Sequence, residues 1–234
     1  MAQKQGSTGR MRAALVGTLM AAPLAMPAPT AAHPHIWVDA GLEVYFDDQG
    51  RLAALRITWV YDEFFSMLML SDLELDSGFS GELTPEDHEA LQGFDMNWIE
   101  GYHGDVFVTL DGEALDLTGP LEWTSELIDD QLVSTHLRAL EERVTLDGAE
   151  LRIEVYDPTY YTSYRIVGTP TVQGRADCRV RIFEPDWDAA DAQLQAALDE
   201  MLGDGMDEFE IEADFPAVGR LFADEARITC AGSS

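Results

Sequence analysis

Two histidines one residue apart, His33-Pro34-His35, stand directly after an apolar leader. Imidazole nitrogens bind borderline divalent metals well, and two of them at one chain end can chelate. The leader over residues 1–32 reads as a secretory signal. Lys4, Arg10 and Arg12 make its positive region, and Ala13 to Met26 is an apolar run short for a bilayer span. Thr30-Ala31-Ala32 offers small residues for cleavage. Cleavage after Ala32 would leave a free α-amine on His33, a third nitrogen donor beside the two imidazoles. Pro34 has no N–H to deprotonate, which blocks the square-planar mode that amino-terminal copper and nickel motifs use. Chelation by the amine and imidazole of His33 remains open, with His35 or a distant residue completing the set. Such donors suit Zn²⁺, with Ni²⁺, Co²⁺ and Cu²⁺ as alternatives, better than calcium or magnesium.

Other residues could complete that set. Asp62 and Glu63 are adjacent carboxylates at the end of a strand, although helix capping alone would explain Asp62. His103 sits between Tyr102 and Gly104 at an element boundary, where sites are commonly built. In Tyr156-Asp157-Pro158-Thr159-Tyr160-Tyr161, three tyrosines flank Asp157, either as a tied turn or as part of a polar site. The expected ligands are His33, His35, Asp62, His103 and Asp157, with Glu63 and Tyr160 supporting them from behind. His88 and His136 read as ordinary histidines. The acidic stretch Asp199 to Asp214 lacks the spacing of an EF-hand loop. No phosphate-cradling glycine loop, GxSxG or HExxH is present, so no residue set for catalysis stands out and a non-enzymatic role is expected.

Composition narrows the partners. The formal net charge is −30. Without residues 1–32, 11 cationic residues face 44 acidic ones, a net of about −33, and Lys4 is the only lysine. That surface repels nucleic acid and anionic lipid and attracts cations, although solubility in salt would also account for it. No second apolar run is long enough to insert the mature chain into a membrane. Cys178 and Cys230, with no metal-ligand spacing between them, are expected to pair as a disulfide in an oxidising compartment.

The elements that must position these groups are mostly strands. Ile36, Val38, Ala40, Leu42, Val44 and Phe46 alternate with Trp37, Asp39, Glu43 and Tyr45, and His33 and His35 share the parity of the polar set. A turn at Asp47-Asp48-Gln49-Gly50 leads into a second strand through Tyr61, making a long hairpin. Asp62 caps a helix from Glu63 to about Leu73 whose residues are apolar nearly all round, so it is expected to be buried. Thr84-Pro85 starts a second helix that Gly101 ends. Strands are expected near 104–110, 113–118, 120–128, 132–140, 143–156, 161–167 and 176–183, with hairpin signals at Asp111-Gly112 and Asp147-Gly148. A helix over about 187–202, an acidic loop, a short helix near 216–223 and a last strand carrying Cys230 complete the chain. The fold class is α+β, mostly antiparallel sheet in one or two β-lobes with two to four helices, as one domain over 33–234.

Three segments resemble a known family. They are Ala32-His33-Pro34-His35-Ile36-Trp37-Val38-Asp39, Trp59-Val60-Tyr61-Asp62-Glu63-Phe64-Phe65-Ser66, and Tyr156-Asp157-Pro158-Thr159-Tyr160-Tyr161. The chain is similar to a bacterial periplasmic family catalogued as domain of unknown function 1007, described as a component of an uncharacterised ABC-type transport system. The resemblance implies a periplasmic location and traffic of a transition metal, zinc above all, toward a nickel/cobalt-type inner-membrane permease. The long His/Asp-rich loop of many periplasmic metal carriers is missing. The leading expectation is a periplasmic zinc-binding protein that hands metal to a permease. One rival is a metal-independent interaction module of a transporter. The other is a copper enzyme of the histidine-brace type, which would need a third histidine opposite the pair and a tyrosine or phenylalanine at the axial position.

Overall fold

The structure, a computed structural model, describes residues 33–76, 80–99 and 101–232. The signal expected over 1–32 lies outside the described residues. Strand β1 (Ile36–Phe46) turns back at Asp47–Gly50 into β2 (Leu52–Tyr61), pairing antiparallel from Val38↔Tyr61 to Phe46↔Leu52. The alternation decides which face is buried: Val38, Ala40, Leu42, Val44 and Phe46 all point into the core.

Two helices follow. α1 (Glu63–Asp72) is capped by Asp62, and α2 (Pro85–Leu91) by Thr84 in a capping box with Asp87. α2 stops ten residues short of Gly101. Its end is fixed from a distance: the Gln92 side chain donates to the Ser125 carbonyl and accepts from the Ser125 amide. Gly93 then takes a φ of +72°, where a Cβ would sit 2.8 Å from the Trp123 indole nitrogen.

The remaining strands are β3 (Val106–Leu110), β4 (Glu113–Ala114), β5 (Leu121–Ile128), β6 (Gln131–Val144), β7 (Glu150–Val155), β8 (Thr162–Ile166), β9 (Thr171–Gln173), β10 (Cys178–Phe183) and β11 (Glu225–Cys230). One sheet runs β5-β6-β2-β1-β8, with β9 also on β1, and the other β10-β11-β7-β3-β4. Pairing is antiparallel except that β8 and β9 lie parallel to β1. The α+β expectation therefore holds, as two mostly antiparallel sheets whose apolar side chains join in one core.

The two Asp-Gly signals separate in role. Asp111-Gly112 closes the β3–β4 hairpin, both residues at positive φ. Asp147-Gly148 has the same backbone, but β6 and β7 belong to different sheets, so this turn passes the chain between layers.

Between β10 and β11 the chain makes an excursion of its own. α3 (Trp187–Gly203) and a 3₁₀ turn (Gly219–Phe222) build a separate small cluster of Tyr160, Ala190, Leu194, Val218 and Phe222, and α4 (Glu208–Ala213) lies against α3. α4 replaces the expected acidic loop. Asp207 caps it, and the Glu210 carboxylate accepts from the Asp207 amide to close a capping box. The expected disulfide is present: Cys178 faces Cys230 at one end of the β10–β11 ladder, while the excursion leaves and returns at the other end, beside the Phe183↔Glu225 pair. Among the described residues no helix is long and apolar enough to cross a membrane.

Candidate metal centre

The site is assembled where β1 begins. The His35 and Ile36 amides both donate to the Tyr161 carbonyl, at 2.8 and 3.3 Å, laying the His33–His35 segment along the loop before β8. That loop is held by Asp157. Its Oδ1 accepts from the amide and hydroxyl of Thr159, both at 2.9 Å, and its Oδ2 from the Thr162 amide at 3.1 Å. Tyr160 takes a positive φ of 58°, and its ring stacks on Phe222 at 3.9 Å between centroids. Tyr161 instead lies 4.6 Å from the His35 ring.

The excursion approaches from the other side. Phe215 stacks on the His33 imidazole with 3.7 Å between centroids and 20° between planes. Glu212 of α4 sets its Oε2 3.3 Å from Nε2 of His33 and its Oε1 3.6 Å from Nε2 of His35. One ligand atom from each of the three residues falls within 4.8 Å of the others. The His33 side chain is only 2 % exposed, while those of His35 and Glu212 remain open to solvent.

Neither ring nitrogen of His33 has a hydrogen-bond partner among the described residues. The 3.3 Å approach of Glu212 is an ion-pair distance, but it is not aligned as a hydrogen bond. An imidazole buried with both nitrogens unsatisfied costs roughly 1–3 kcal/mol, and a bound cation would offset it. Two imidazoles and a carboxylate are donors for a transition metal, and three protein ligands leave a coordination position open.

A scan of family models matches residues 18–230 to a protein of unknown function, DUF1007. The chain belongs to this family. No curated protein and no solved structure matches it.

Not every expected ligand of this DUF1007 protein joins the cluster. Asp62 caps α1, its Oδ1 accepting from the Phe65 amide and its Oδ2 from the Trp37 amide, both at 2.9 Å. Glu63 lies exposed in the first turn of α1. His103 and Asp157 come together, but with each other: both line a cleft of about 380 Å³ with Tyr102, Asp105 and Phe107. Within it Asp105 accepts from the hydroxyls of Tyr102 and Tyr164, and burial pushes its carboxyl up to about 6. Asp157 and Tyr160 support the pair indirectly, through the loop whose Tyr161 carbonyl anchors His35. His136 is fully buried on β6 beside Trp59 and Trp98, and desolvation, with Arg138 and Arg56 adding to it, lowers it to about 3.

Glu212 and Phe215 escaped the sequence reading. The legible signal was the spacing of Asp207 and Glu210, which marks a helix start inside the acidic stretch. Nothing in that stretch distinguishes Glu212 from its neighbouring carboxylates. The third member of the cluster is thus a glutamate, where a histidine brace would place a histidine.

Proposed function

We propose that this protein is a non-enzymatic carrier. It captures a divalent transition metal as cargo at His33, His35 and Glu212, outside the cytoplasm, and passes it to an inner-membrane permease. The observation carrying this reading is the buried His33 imidazole, unpartnered at both nitrogens and facing a second histidine and a carboxylate. The donor set favours Zn²⁺, with Ni²⁺, Co²⁺ and Cu²⁺ as competitors. Cleavage after Ala32 would add the α-amine of His33 as a further nitrogen. Two features suit a carrier rather than a permanent metal site. Glu212 and His35 are reachable by solvent, so ligand exchange has a route. The strongly acidic surface raises the local concentration of cations.

Calorimetric zinc titration of the signal-cleaved protein tests the reading, alongside His33→Ala/His35→Ala and Glu212→Gln. Stoichiometric binding is expected in the wild type, lost in the double variant and weakened by Glu212→Gln. Equal weak binding in all three would mean that the acidic surface merely collects ions.

A further inference from the structure

Helix α1 presents a second feature, independent of the metal cluster. Its sequence, Glu63-Phe64-Phe65-Ser66-Met67-Leu68-Met69-Leu70, is apolar nearly all round, and such a helix is expected to be enclosed. The structure encloses only one side. Ser66 and Leu70 are buried, and Phe65 and Met69 half-buried. Ser66 accepts from the Leu132 amide, seating this side on β6. The opposite side carries Phe64, Met67 and Leu68, spaced i, i+3 and i+4 along one stripe, at 68 %, 46 % and 45 % exposure. Trp37, 53 % exposed, is tied to the start of the helix by two hydrogen bonds: its amide donates to the Asp62 carboxylate, and its carbonyl accepts from the Asp62 amide.

Carboxylates border the stripe. Met67 and Leu70 line a cleft of about 290 Å³ with Leu127, Glu63, Asp76 and Asp130, and no cation stands among its lining residues. A contiguous apolar stripe in water marks a contact surface, and thioether side chains adapt to varied partners. Charge selects among occupants. A second copy would bring another net −30 against this one, and an anionic bilayer would be repelled in the same way.

We propose that the exposed stripe of α1 and its carboxylate-lined cleft form a docking surface for a basic amphipathic segment of a protein partner. The apolar face of that segment would cover Phe64, Met67 and Leu68, and its Lys or Arg side chains would enter the cleft at Glu63, Asp76 and Asp130.

Fluorescence anisotropy on the full protein provides the test, with three labelled peptides of equal length. One has leucines on one helical face and lysines on the other; in the second glutamate replaces lysine; in the third serine replaces leucine. The Leu/Lys peptide should bind at least tenfold tighter than either control. The affinity should fall at least tenfold in Phe64→Ser/Leu68→Ser and several-fold in Glu63→Gln/Asp130→Asn. Both substituted pairs lie at the surface, and unchanged circular dichroism and zinc titration would show that fold and metal cluster survive. Equal binding of the Leu/Lys and Ser/Lys peptides would reduce the effect to bulk charge and overturn the proposal. Indifference to Phe64→Ser/Leu68→Ser would also overturn it. So would stripe-dependent dimerisation in sedimentation, or stripe-dependent binding to vesicles of phosphatidylcholine with phosphatidylglycerol.

Discussion

Phe215 lies nearly parallel to the His33 imidazole at 3.7 Å, so the residue that shields this histidine comes from the same excursion as the carboxylate facing it. The ring fixes the imidazole plane without offering a ligand of its own. Phe215→Ala should therefore leave the donor atoms in place and loosen them. Zinc affinity is expected to fall by about tenfold, the scale of losing a group that orients a ligand. Parallel titrations of wild type and Phe215→Ala decide it; unchanged affinity would mean that His33 is held by its backbone alone.

Gly219 offers a longer lever on the same site. Its amide donates to the Pro158 carbonyl, and a Cβ there would lie 1.7 Å from the Asp157 carbonyl oxygen, which is backbone and cannot swing aside. Gly219→Ala must part the 3₁₀ turn from the loop that anchors His35. A loss of about 1–3 kcal/mol in unfolding free energy is expected, together with weaker zinc binding as Glu212 and Phe215 are displaced. A destabilised variant that binds zinc as tightly as wild type would show that the excursion's seat on the loop does not set the metal geometry.

How far the sequence revealed these contacts depends on their range. The β1 alternation, the Asp62 and Thr84 caps and the Asp111-Gly112 hairpin are local, and all were legible; at Asp147-Gly148 the turn was legible but the expected hairpin was not formed, because β6 and β7 pair in different sheets. The end of α2 was not, because the deciding partner of Gln92 is Ser125, on a distant strand. The exposure of Phe64 was missed for the opposite reason: periodicity reports that a helix is apolar, but not whether anything covers both of its sides. For the candidate metal cluster, the histidine pair could be read from spacing and the leader before it. Glu212 could not, since only the folding of the excursion brings one carboxylate of a long acidic stretch within 3.3 Å of His33.

The disulfide closes the chain around that excursion, across a separation of 52 residues. Cys178→Ser/Cys230→Ser should lower the unfolding free energy by about 4 kcal/mol in the chain-entropy picture. The β10–β11 ladder itself stays paired over Cys178↔Cys230 to Phe183↔Glu225, so zinc binding under native conditions should persist. Urea unfolding and zinc titration of the same variant separate the two effects. Loss of zinc binding in a folded variant would make the bond part of the site's geometry rather than of global stability alone.

His136 makes the fold sensitive to acid. The side chain is fully buried with neither ring nitrogen hydrogen-bonded among the described residues, and burial lowers it from the usual 6.5 to about 3. Above about pH 6.5 the imidazole is neutral whether the chain is folded or not. Between that value and the folded value, the unfolded chain takes up a proton that the folded chain refuses. The stability present at neutral pH is therefore lost as pH falls through this window. His136→Leu removes the titration and an unsatisfied polar group together, so the variant should match or exceed wild type near neutrality. Its advantage should grow by about 2–3 kcal/mol between about pH 7.5 and about pH 4.5. Urea unfolding of both proteins at the two pH values measures this directly. Parallel pH dependence would mean that the folded protein accommodates a charged His136, and the acid sensitivity would then have to arise elsewhere.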